Sequence, residues 1–437
     1  MSSAPAHKSR RVVITGIGVV APLGNGSLAE FWNALASGQS GVGSCEHVPG
    51  EKSPLKIAAE AKYFTGDIAN FGELEADKKK AIRKGLKVMC RETQMAISAA
   101  EAALTDSGCR TGLDPERAGV VLGSDYMLTV PIDYEGPITK CADGGQFEYS
   151  RWGKEGLREM QPLWMLKYLP NMPASHIAIL NDLRGPNNSL TMREASSLMA
   201  IGEAFRTIAR GHADVMVAGA TGTRVLPMQA IHALQTEEVA ADGEPATASR
   251  PFDANRRGMV CGEGAGMVVL EALETAQARG ARIYGEVLGF GTSQVADRQL
   301  RGETTAALTN AMRAALHDAK TSPADVGHLN AHGLATRAGD AAEAQAIAAV
   351  FGERASSLPL VALKSSIGNL GAGGGAVELA GSLLALQAGE LPRVLNCDSP
   401  DSACAPVTKS GVSPGGSFLA TNVTPQGQAA AILVRKL

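Results

Sequence analysis

The sequence lacks long apolar runs, and none reaches the roughly 18 residues that a membrane-spanning helix needs. Its first ten residues, MSSAPAHKSR, are polar and lack the apolar centre of a secretory signal. The sequence has only seven cysteines, which are scattered along the chain and never in CxxC spacing. An odd number also leaves at least one of them without a disulfide partner within the chain. Neither a disulfide framework nor a zinc site is therefore expected. These absences predict a cytoplasmic protein with no membrane span and no bound metal.

An excess of one charge is also missing, because 41 Lys and Arg residues face 44 Asp and Glu residues, giving a net charge of −3. That balance argues against a nucleic-acid partner. Aromatic residues make up only 4% of the chain, whereas hydrophobic residues make up 45% and glycines number 50 among the 437 residues. The chain therefore has enough apolar surface for a large core, and its small residues favour tight turns.

Short β-branched runs alternate with alanine-rich segments of helical period, which is typical of an α/β fold with buried strands. The predicted strands are residues 11–15, 118–122, 215–218, 266–271, 328–330, 358–362 and 429–434. The predicted helices are residues 28–37, 88–107, 196–210, 304–319, 340–351 and 375–387. Residues 126–167 are predicted to form an inserted cap, and residues 235–250 a polar loop. A coarse similarity between the two halves indicates an internal duplication.

Strand-to-helix turns are where sites of α/β proteins lie, and the first such turn carries an acid. In GPNNSLTMREASSLMAIGEAF (185–205), Glu194 stands where the helix begins. Helix N-termini stabilise an anion, but an acid in a first helical turn is also ordinary. This turn alone leaves both interpretations open.

Two further turns carry a histidine, a lysine and an amide. HLNAHGLATRAGDAAEAQAI (328–347) places His332 in a His-Gly turn and Glu343 inside the helix that follows. Histidine exchanges protons near neutral pH, although a structural role is commoner in such a turn. In VALKSSIGNLGAGGGAVELAG (361–381), Lys364 closes a strand and Asn369 lies in a glycine-flanked turn. None of these turns identifies a protein family by itself. Their sequences and their order along the chain together do.

Together, these segments resemble the ketosynthase branch of the thiolase superfamily, above all elongating β-ketoacyl-acyl-carrier-protein synthases and their chain-length-factor relatives. The resemblance runs through RRVVITGIGVVAPLGNG, FWNALASGQSGV, LPNMPASHIAI, ARGHADVMVAGAT, RPFDANRRGMVCGEGAGMVVLE, NAHGLATRAGDAAEAQAI and LKSSIGNLGAGGGAVE. It implies a five-layered αβαβα fold of two similar halves, residues 10–262 with the cap and residues 263–437. It also implies a homodimer, or a heterodimer with a cysteine-bearing ketosynthase. No permanently bound cofactor is implied, but a pocket for the phosphopantetheine arm of an acyl carrier protein is.

In an active elongating member of this family, a cysteine at the strand-to-helix elbow accepts the acyl group and two histidines promote malonyl decarboxylation. Here MREASS (192–197) stands where the family writes Thr-Ala-Cys-Ser-Ser-Gly, so the resemblance implies that Glu194 replaces the nucleophile. His332 matches the first histidine, and Asn369 stands in place of the second. Lys364 and Glu343 match supporting residues.

The resemblance is also weaker where the carrier arm enters. Only Thr336 remains of two threonines that hold the pantetheine arm in the family. Residues 421–427 (TNVTPQG) stand where the family has a Gly-Phe-Gly-Gly gating turn. If the matched residues form one site, we expect Glu194 within about 6 Å of His332 or Asn369, the range of direct charge coupling.

A carboxylate is a poor acyl carrier, because its attack on a thioester gives a mixed anhydride that hydrolyses. Condensation through an ordinary acyl-enzyme is therefore not expected. The departures predict a non-condensing, chain-length-factor-like partner or a modified acyl-processing enzyme of fatty-acid or polyketide synthesis. One alternative is a malonyl-carrier-protein decarboxylase, in which protonated Glu194 mimics a glutamine and His332 with Asn369 stabilises an enolate. Another is a condensing or cyclising enzyme that uses Glu194 as its base.

Overall fold

The computed structural model describes residues 9–48, 53–110, 112–400 and 404–437, so most of the polar first segment lies outside it. The strands are β1 (Val12–Val20), β2 (Gly43–Ser44), β3 (Ile57–Ala58), β4 (Ala118–Ser124), β5 (Ala142–Asp143), β6 (Gln146–Phe147), β7 (Asn187–Thr191), β8 (Val215–Thr223), β9 (Glu263–Ala272), β10 (Gly285–Gln294), β11 (His328–Asn330), β12 (Pro359–Val361), β13 (Ala405–Pro406), β14 (Ser417–Val423) and β15 (Gln428–Arg435). The α-helices are α1 (Leu28–Ala36), α2 (Ala76–Gly85), α3 (Arg91–Ser107), α4 (Ile132–Lys140), α5 (Tyr149–Arg151), α6 (Leu157–Glu159), α7 (Trp164–Lys167), α8 (Met172–Asn181), α9 (Ser196–Ala209), α10 (Pro227–Thr236), α11 (Pro245–Ala248), α12 (Leu273–Ala278), α13 (Thr304–Asp318), α14 (Arg337–Phe351), α15 (Lys364–Ile367) and α16 (Gly374–Ala388).

The main sheet contains the same five-stranded unit twice. Its strand order is β13-β12-β11-β14-β15-β10-β1-β9-β8-β4-β7. In the first unit β7, β4 and β8 are parallel, and β9 and β1 follow antiparallel. In the second unit β12, β11 and β14 are parallel, and β15 and β10 follow antiparallel. The units meet where β1 pairs antiparallel with β10. The internal duplication predicted from the sequence is therefore present in the strand pairing.

Strand β9 determines where the first unit ends. It pairs with β1 and β8, both of the first unit, and the first unit therefore extends to Ala272. The division predicted at residue 262 would assign this strand to the second half. The division at residue 262 stays a prediction.

Helices cover and separate the two units in layers. Helices α9 and α16 lie between the units, where they contact each other and strands of both. Helix α3 packs on β1 and β9, and α13 packs on β10 and β15. Helix α16, GGAVELAGSLLALQA, is buried on nearly all sides because strands of both units of the sheet pack against it. The largest apolar cluster accordingly joins α9 and α16 to the facing strands.

The remaining elements are short pieces at the edges. The predicted cap, residues 126–167, contains α4–α7 and the β5–β6 pair. Strands β10 and β14 were not predicted, because GEVLGFGTSQ and SFLATNV mix glycine, serine and threonine with their apolar residues. Within the described residues no helix is both long and apolar enough to cross a membrane.

Candidate functional site

The elbow between β7 and α9 positions Glu194. After β7 the chain makes a 3-10 turn over Arg193–Ala195 before α9 begins, and Arg193 adopts a left-handed φ of 48°. The Ser196 hydroxyl accepts from the Met192 amide at 2.8 Å and donates to the Ser124 carbonyl at 2.9 Å, which fixes the turn against β4. Strain of this kind is retained where the surroundings determine the backbone. The turn leaves the Glu194 side chain in the interior, with 1% of the residue exposed.

Glu194 lies within a buried group of charges that we call the elbow ion cluster: Asp125, Arg193, Glu194, Arg224 and Glu237. The Arg224 guanidinium donates to Oε1 of Glu194, and its other terminal nitrogen donates to Glu237 at 2.8 Å. Arg193 donates to the same Glu237 oxygen at 2.6 Å, and its Nε lies 3.6 Å from Oε2 of Glu194. Asp125 completes the cluster, 3.7 Å from Arg224. Two guanidinium groups thus face three carboxyl groups.

This cluster sets the protonation state of Glu194. Burial alone would raise the pKa of the carboxyl group, because a charge is poorly solvated in the interior. The guanidinium groups of Arg224 and Arg193 more than offset burial, so that the pKa of Glu194 lies well below its ordinary value. Glu194 is therefore ionised at neutral pH, and the protonated form on which a glutamine mimic depends is disfavoured.

His332, which follows β11, lies in a second buried network. Lys364 donates to the His332 carbonyl at 2.8 Å, and its ammonium lies 3.4 Å from Nδ1 of the imidazole. Asn422 also approaches Nδ1, at 3.5 Å, and donates to Glu378 at 3.2 Å. Glu378 pairs with Lys364 at 2.5 Å. Because Nδ1 faces two donors, the neutral ring carries its proton on Nε2.

The electrostatic surroundings keep this imidazole neutral. Burial, and after it the positive charge of Lys364, lower the pKa of His332 well below 6.5. The carboxylate of Glu194 acts in the opposite direction, and Arg224 adds to the lowering. These mutual influences mean that the elbow and the histidine belong to one electrostatic site.

Two buried carboxylates hold the His332 loop through its backbone. Glu343 accepts from the amides of His332 and Gly333 at 2.7 and 2.8 Å. Asp340 accepts from the amides of Leu334 and Ala335 at 2.9 and 3.2 Å. Four successive amides are thereby satisfied, and the imidazole is held at a fixed position. Glu343 acts here as an anchor for the loop that carries His332.

Asn369 connects the elbow to the turn before α16. Its Nδ2 lies 3.3 Å from Oε1 of Glu194 and 3.0 Å from the Met259 sulfur, and its Oδ1 accepts from the Gly371 amide at 3.1 Å. The Glu194–Asn369 distance is within the 6 Å coupling range expected for a shared site. The structure thus places Glu194, Asn369, His332 and Lys364 in one interior region.

A cysteine does lie near this region, at the strand-like segment beside Asn369. Cys261 forms a backbone bridge with Asn369, and its side chain belongs to a buried apolar cluster that includes Met259 and Val225. Burial raises the pKa of the Cys261 thiol to about 12, although Arg224 acts against the shift. The thiol is therefore protonated at neutral pH and is not the thiolate that nucleophilic attack requires.

Thr336, the residue predicted to hold a pantetheine arm, begins helix α14. It is the N-cap residue, it is 9% exposed, and its carbonyl accepts from Arg256 at 3.0 Å. Residues 421–427, predicted to replace a gating turn, contain the end of β14 and a tight turn in which the Gly427 amide donates to the Thr424 carbonyl at 2.9 Å. Asn422 of this segment contacts the imidazole of His332, as described above.

Sequence reasoning missed several members of the site. These are Arg224, which pairs with Glu194, and Glu378, which pairs with Lys364. The acids that pair with Arg224, Asp125 and Glu237, were also missed, as was Asn422, which contacts Glu378 and His332. Arg224 and Asp125 directly follow the apolar strands β8 and β4, whereas Glu237 follows helix α10 and Glu378 lies within helix α16. Among the described residues no group of three or more His, Cys, Asp and Glu side chains is arranged to hold a metal ion.

The fold and the interior position of this site define the class of protein. A β-ketoacyl synthase from Burkholderia phymatum superposes with a TM-score of 0.83 at 30% identity, over 98% of this chain and 100% of that chain. The predicted thiolase-like five-layered fold of two similar halves is confirmed, and it is the fold of a ketosynthase.

This chain belongs to the β-ketoacyl synthase family. The model of the family's N-terminal domain matches residues 9–276, and that of its C-terminal domain matches residues 284–398. The 3-oxoacyl-[acyl-carrier-protein] synthase 2 of Coxiella burnetii is 36% identical over 406 residues, 91% of each chain. The protein of the same name from Rhizobium meliloti is 37% identical over 90% of each chain. The ishigamide ketosynthase/chain length factor structure has a TM-score of 0.80 at 26% identity, over 98% of this chain and 100% of that chain.

The elbow ion cluster predicts that substitution of its two central residues, Arg224 and Glu194, lowers the stability of the fold by different amounts. In Arg224→Met, three carboxyl groups remain with only Arg193, so we expect unfolding to become easier by about 3–5 kcal/mol, the usual cost of an uncompensated buried charge. In Glu194→Gln, Arg224 keeps Glu237, and the expected cost is about 1–2 kcal/mol. Urea unfolding at pH 7 measures both values.

Arg301→Met serves as the matched control, because the Arg301 side chain is 78% exposed and should change stability by less than about 0.5 kcal/mol. Equal losses for Arg224→Met and Glu194→Gln would contradict a cluster in which Arg224 binds several acids at once.

Proposed function

We propose that this chain is a non-condensing member of its family, which works in fatty-acid or polyketide synthesis as a chain-length-factor-like partner of a cysteine-bearing ketosynthase. The observation that carries the proposal is the ion pair between Glu194 and Arg224 at the elbow where the resemblance places the nucleophilic cysteine. A carboxylate bound in this way is a structural counter-ion. It is a weak nucleophile, and acyl transfer to it would give a labile mixed anhydride.

The same ion pair argues against Glu194 as a general base. A base that removes protons at neutral pH works best with a pKa near that pH. The pKa of Glu194 is instead lowered by Arg224 and Arg193, and its Oε1 is engaged by Arg224 and Asn369. A Glu-based condensing or cyclising enzyme is therefore the least favoured of the alternatives.

The exposed apolar surface supports a protein partner. The large hydrophobic side chains that are exposed concentrate in the cap and on α10: Ile132, Ile138, Phe147, Tyr149, Leu157, Leu163, Met165, Met228 and Ile231. Exposed apolar patches of this kind mark interaction sites. Strand β7, at the end of the main sheet, also offers an edge for pairing. We propose that these features form the dimer interface with the active ketosynthase, in the cytoplasm.

An acyl carrier protein is the proposed second partner. One solved structure similar to this chain contains a type II PKS acyl-carrier protein in complex with its ketosynthase bound to the hexaketide. It has a TM-score of 0.82 at 25% identity, over 98% of this chain and 100% of that chain. We propose that the phosphopantetheine arm reaches the partnered assembly as a substrate carrier and that Thr336 contributes to holding it. No permanently bound cofactor is part of the proposal.

The proposal predicts association without independent condensation. Mixed with a cysteine-bearing ketosynthase from the same organism, the chain should form a one-to-one complex in size-exclusion chromatography with mass detection. Alone, with acyl- and malonyl-carrier proteins, it should form no β-ketoacyl product. Met165→Glu should weaken the complex at least about tenfold, because Met165 is 59% exposed in the cap and a charge there would be buried on association.

Leu300→Glu is the matched control, since Leu300 is 84% exposed but lies outside the cap and α10. It should leave the complex intact. A β-ketoacyl product formed by the chain alone would refute the proposal, as would equal losses of association in both variants.

A malonyl-carrier-protein decarboxylase is the second candidate, and the geometry of His332 favours it. The imidazole is neutral, the backbone of His332 is held by Lys364 and Glu343, and the ring can donate from Nε2 to an enolate oxygen. Against it, the ionised Glu194 would repel the carboxylate of a malonyl group in the same site. A decarboxylase of this kind would act without a ketosynthase partner.

Incubation with malonyl-carrier protein, followed by mass spectrometry, separates the two candidates. Under our proposal the wild-type chain gives no acetyl-carrier protein above the uncatalysed background. Conversion that is lost in His332→Ala but retained in His328→Ala would establish the decarboxylase instead. His328 is the matched control, because it is equally buried but bonds Pro414 and Ser382 away from Glu194. If only Glu194→Gln converts malonyl-carrier protein, the charge of Glu194 is what prevents decarboxylation in the wild-type chain.

A further inference from the structure

Arg224 fills the interior next to the elbow. It follows β8, and of the fully buried side chains among the described residues it is the largest. A Cβ added to Gly371, in the turn after Asn369, would lie 3.6 Å from Nε of Arg224 and 3.7 Å from its Cγ, and its guanidinium ends at Glu194. Because an arginine side chain is long, Arg224 occupies space that would otherwise lie open beside residue 194.

Arg193 closes the same region from the surface side. Its side chain is 15% exposed, and its guanidinium spans from Glu237 at 2.6 Å to Gln426 at 3.4 Å. Gln426 lies in the tight turn between β14 and β15. Arg193 thereby ties the elbow to that turn.

We propose that Arg193 and Arg224 are specificity-determining residues that exclude the acyl chain of a thioester from residue 194, independently of which side chain residue 194 carries. The inference rests on the proposed non-condensing function and explains what enforces it. It differs from the simple absence of a nucleophile, because a thiol at position 194 would still have no room for an acyl group.

The two arginines are held in place without Glu194. Arg224 retains Glu237 at 2.8 Å and Asp125 at 3.7 Å, and Arg193 retains Glu237 at 2.6 Å. Replacing Glu194 with a neutral residue leaves two guanidinium groups facing two carboxyl groups. The arginines therefore have no electrostatic reason to leave, and the elbow stays filled.

The test introduces a thiol with and without the arginines. Glu194→Cys provides the thiol alone. A cleared variant adds Arg193→Ala, Arg224→Ser and Glu237→Gln, which together remove two positive charges and one negative charge. Each protein is incubated with an octanoyl-pantetheine thioester. In the reaction the acyl carbon bonds to the introduced sulfur, its bond to the pantetheine sulfur breaks, and the departing sulfur takes the proton. The mass increase is followed against Glu194→Ala, which accounts for acylation of other cysteines.

We expect acylation of the cleared variant to be at least about a hundredfold faster than that of Glu194→Cys, since misplacement of reacting atoms by an ångström costs that much. Glu194→Cys with Arg301→Ser, which removes an exposed arginine instead, should behave like Glu194→Cys. The double variant Glu194→Cys/Arg224→Ser, which keeps the Arg193–Glu237 pair, should show an intermediate rate. It provides the decisive comparison if thermal melting shows that the cleared variant is unfolded.

Equal acylation rates in Glu194→Cys and in whichever of the cleared and double variants are folded would overturn the inference. That result would leave the proposed function intact, because the wild-type chain would still lack a nucleophile. Conversely, β-ketoacyl product made by the wild-type chain would refute the proposed function whatever the acylation rates of these variants.

Discussion

The buried ion pair between Glu194 and Arg224 constrains everything around it. An unpaired charge at this depth would cost several kcal/mol, so neither residue is tolerable without a partner. The pair extends to Glu237 and Asp125 through Arg224, and to the surface through Arg193. Ion-paired side chains thereby occupy the elbow of this ketosynthase fold. We propose that this arrangement limits the chemistry of the site, because an ionised carboxylate bound to a guanidinium group is a poor acyl carrier and a weak base.

The duplicated architecture explains why such distant residues meet. Each unit ends its parallel strands at the same edge, and α9 and α16 begin there, between the two units. The elbow comes from the first unit, whereas His332 and Asn369 come from the second. Gly222 allows the turn after Asn369 to pack on β8, since a Cβ at that position would lie 2.5 Å from the Leu370 carbonyl oxygen. The site thus occupies the junction of the two repeats.

Much of the fold could be predicted from the sequence, because buried parallel strands and alanine-rich helices have strong patterns. The turns that carry Glu194, His332 and Asn369 followed from the same patterns and from the resemblance. The elbow ion cluster could not be predicted, because Arg224 and Glu237 are distant from the elbow in the sequence. Nothing in the residues around them indicates that they contact it. The direction of the Glu194 pKa shift depended on those partners, and for that reason the sequence left it open.

The protonation state of Glu194 is the sharpest test of its pairing with Arg224. Isotope-edited infrared spectroscopy of the wild-type chain, with Glu194→Gln as the reference for assigning the signal, follows its carboxyl group as the pH is lowered. If Glu194 is the counter-ion of Arg224, the carboxylate band is present at pH 7 and persists well below pH 4.5, the ordinary pKa of a glutamate. A protonated carboxyl band at neutral pH would contradict this pairing, since Glu194 would then be a neutral glutamine-like group and not the counter-ion of Arg224.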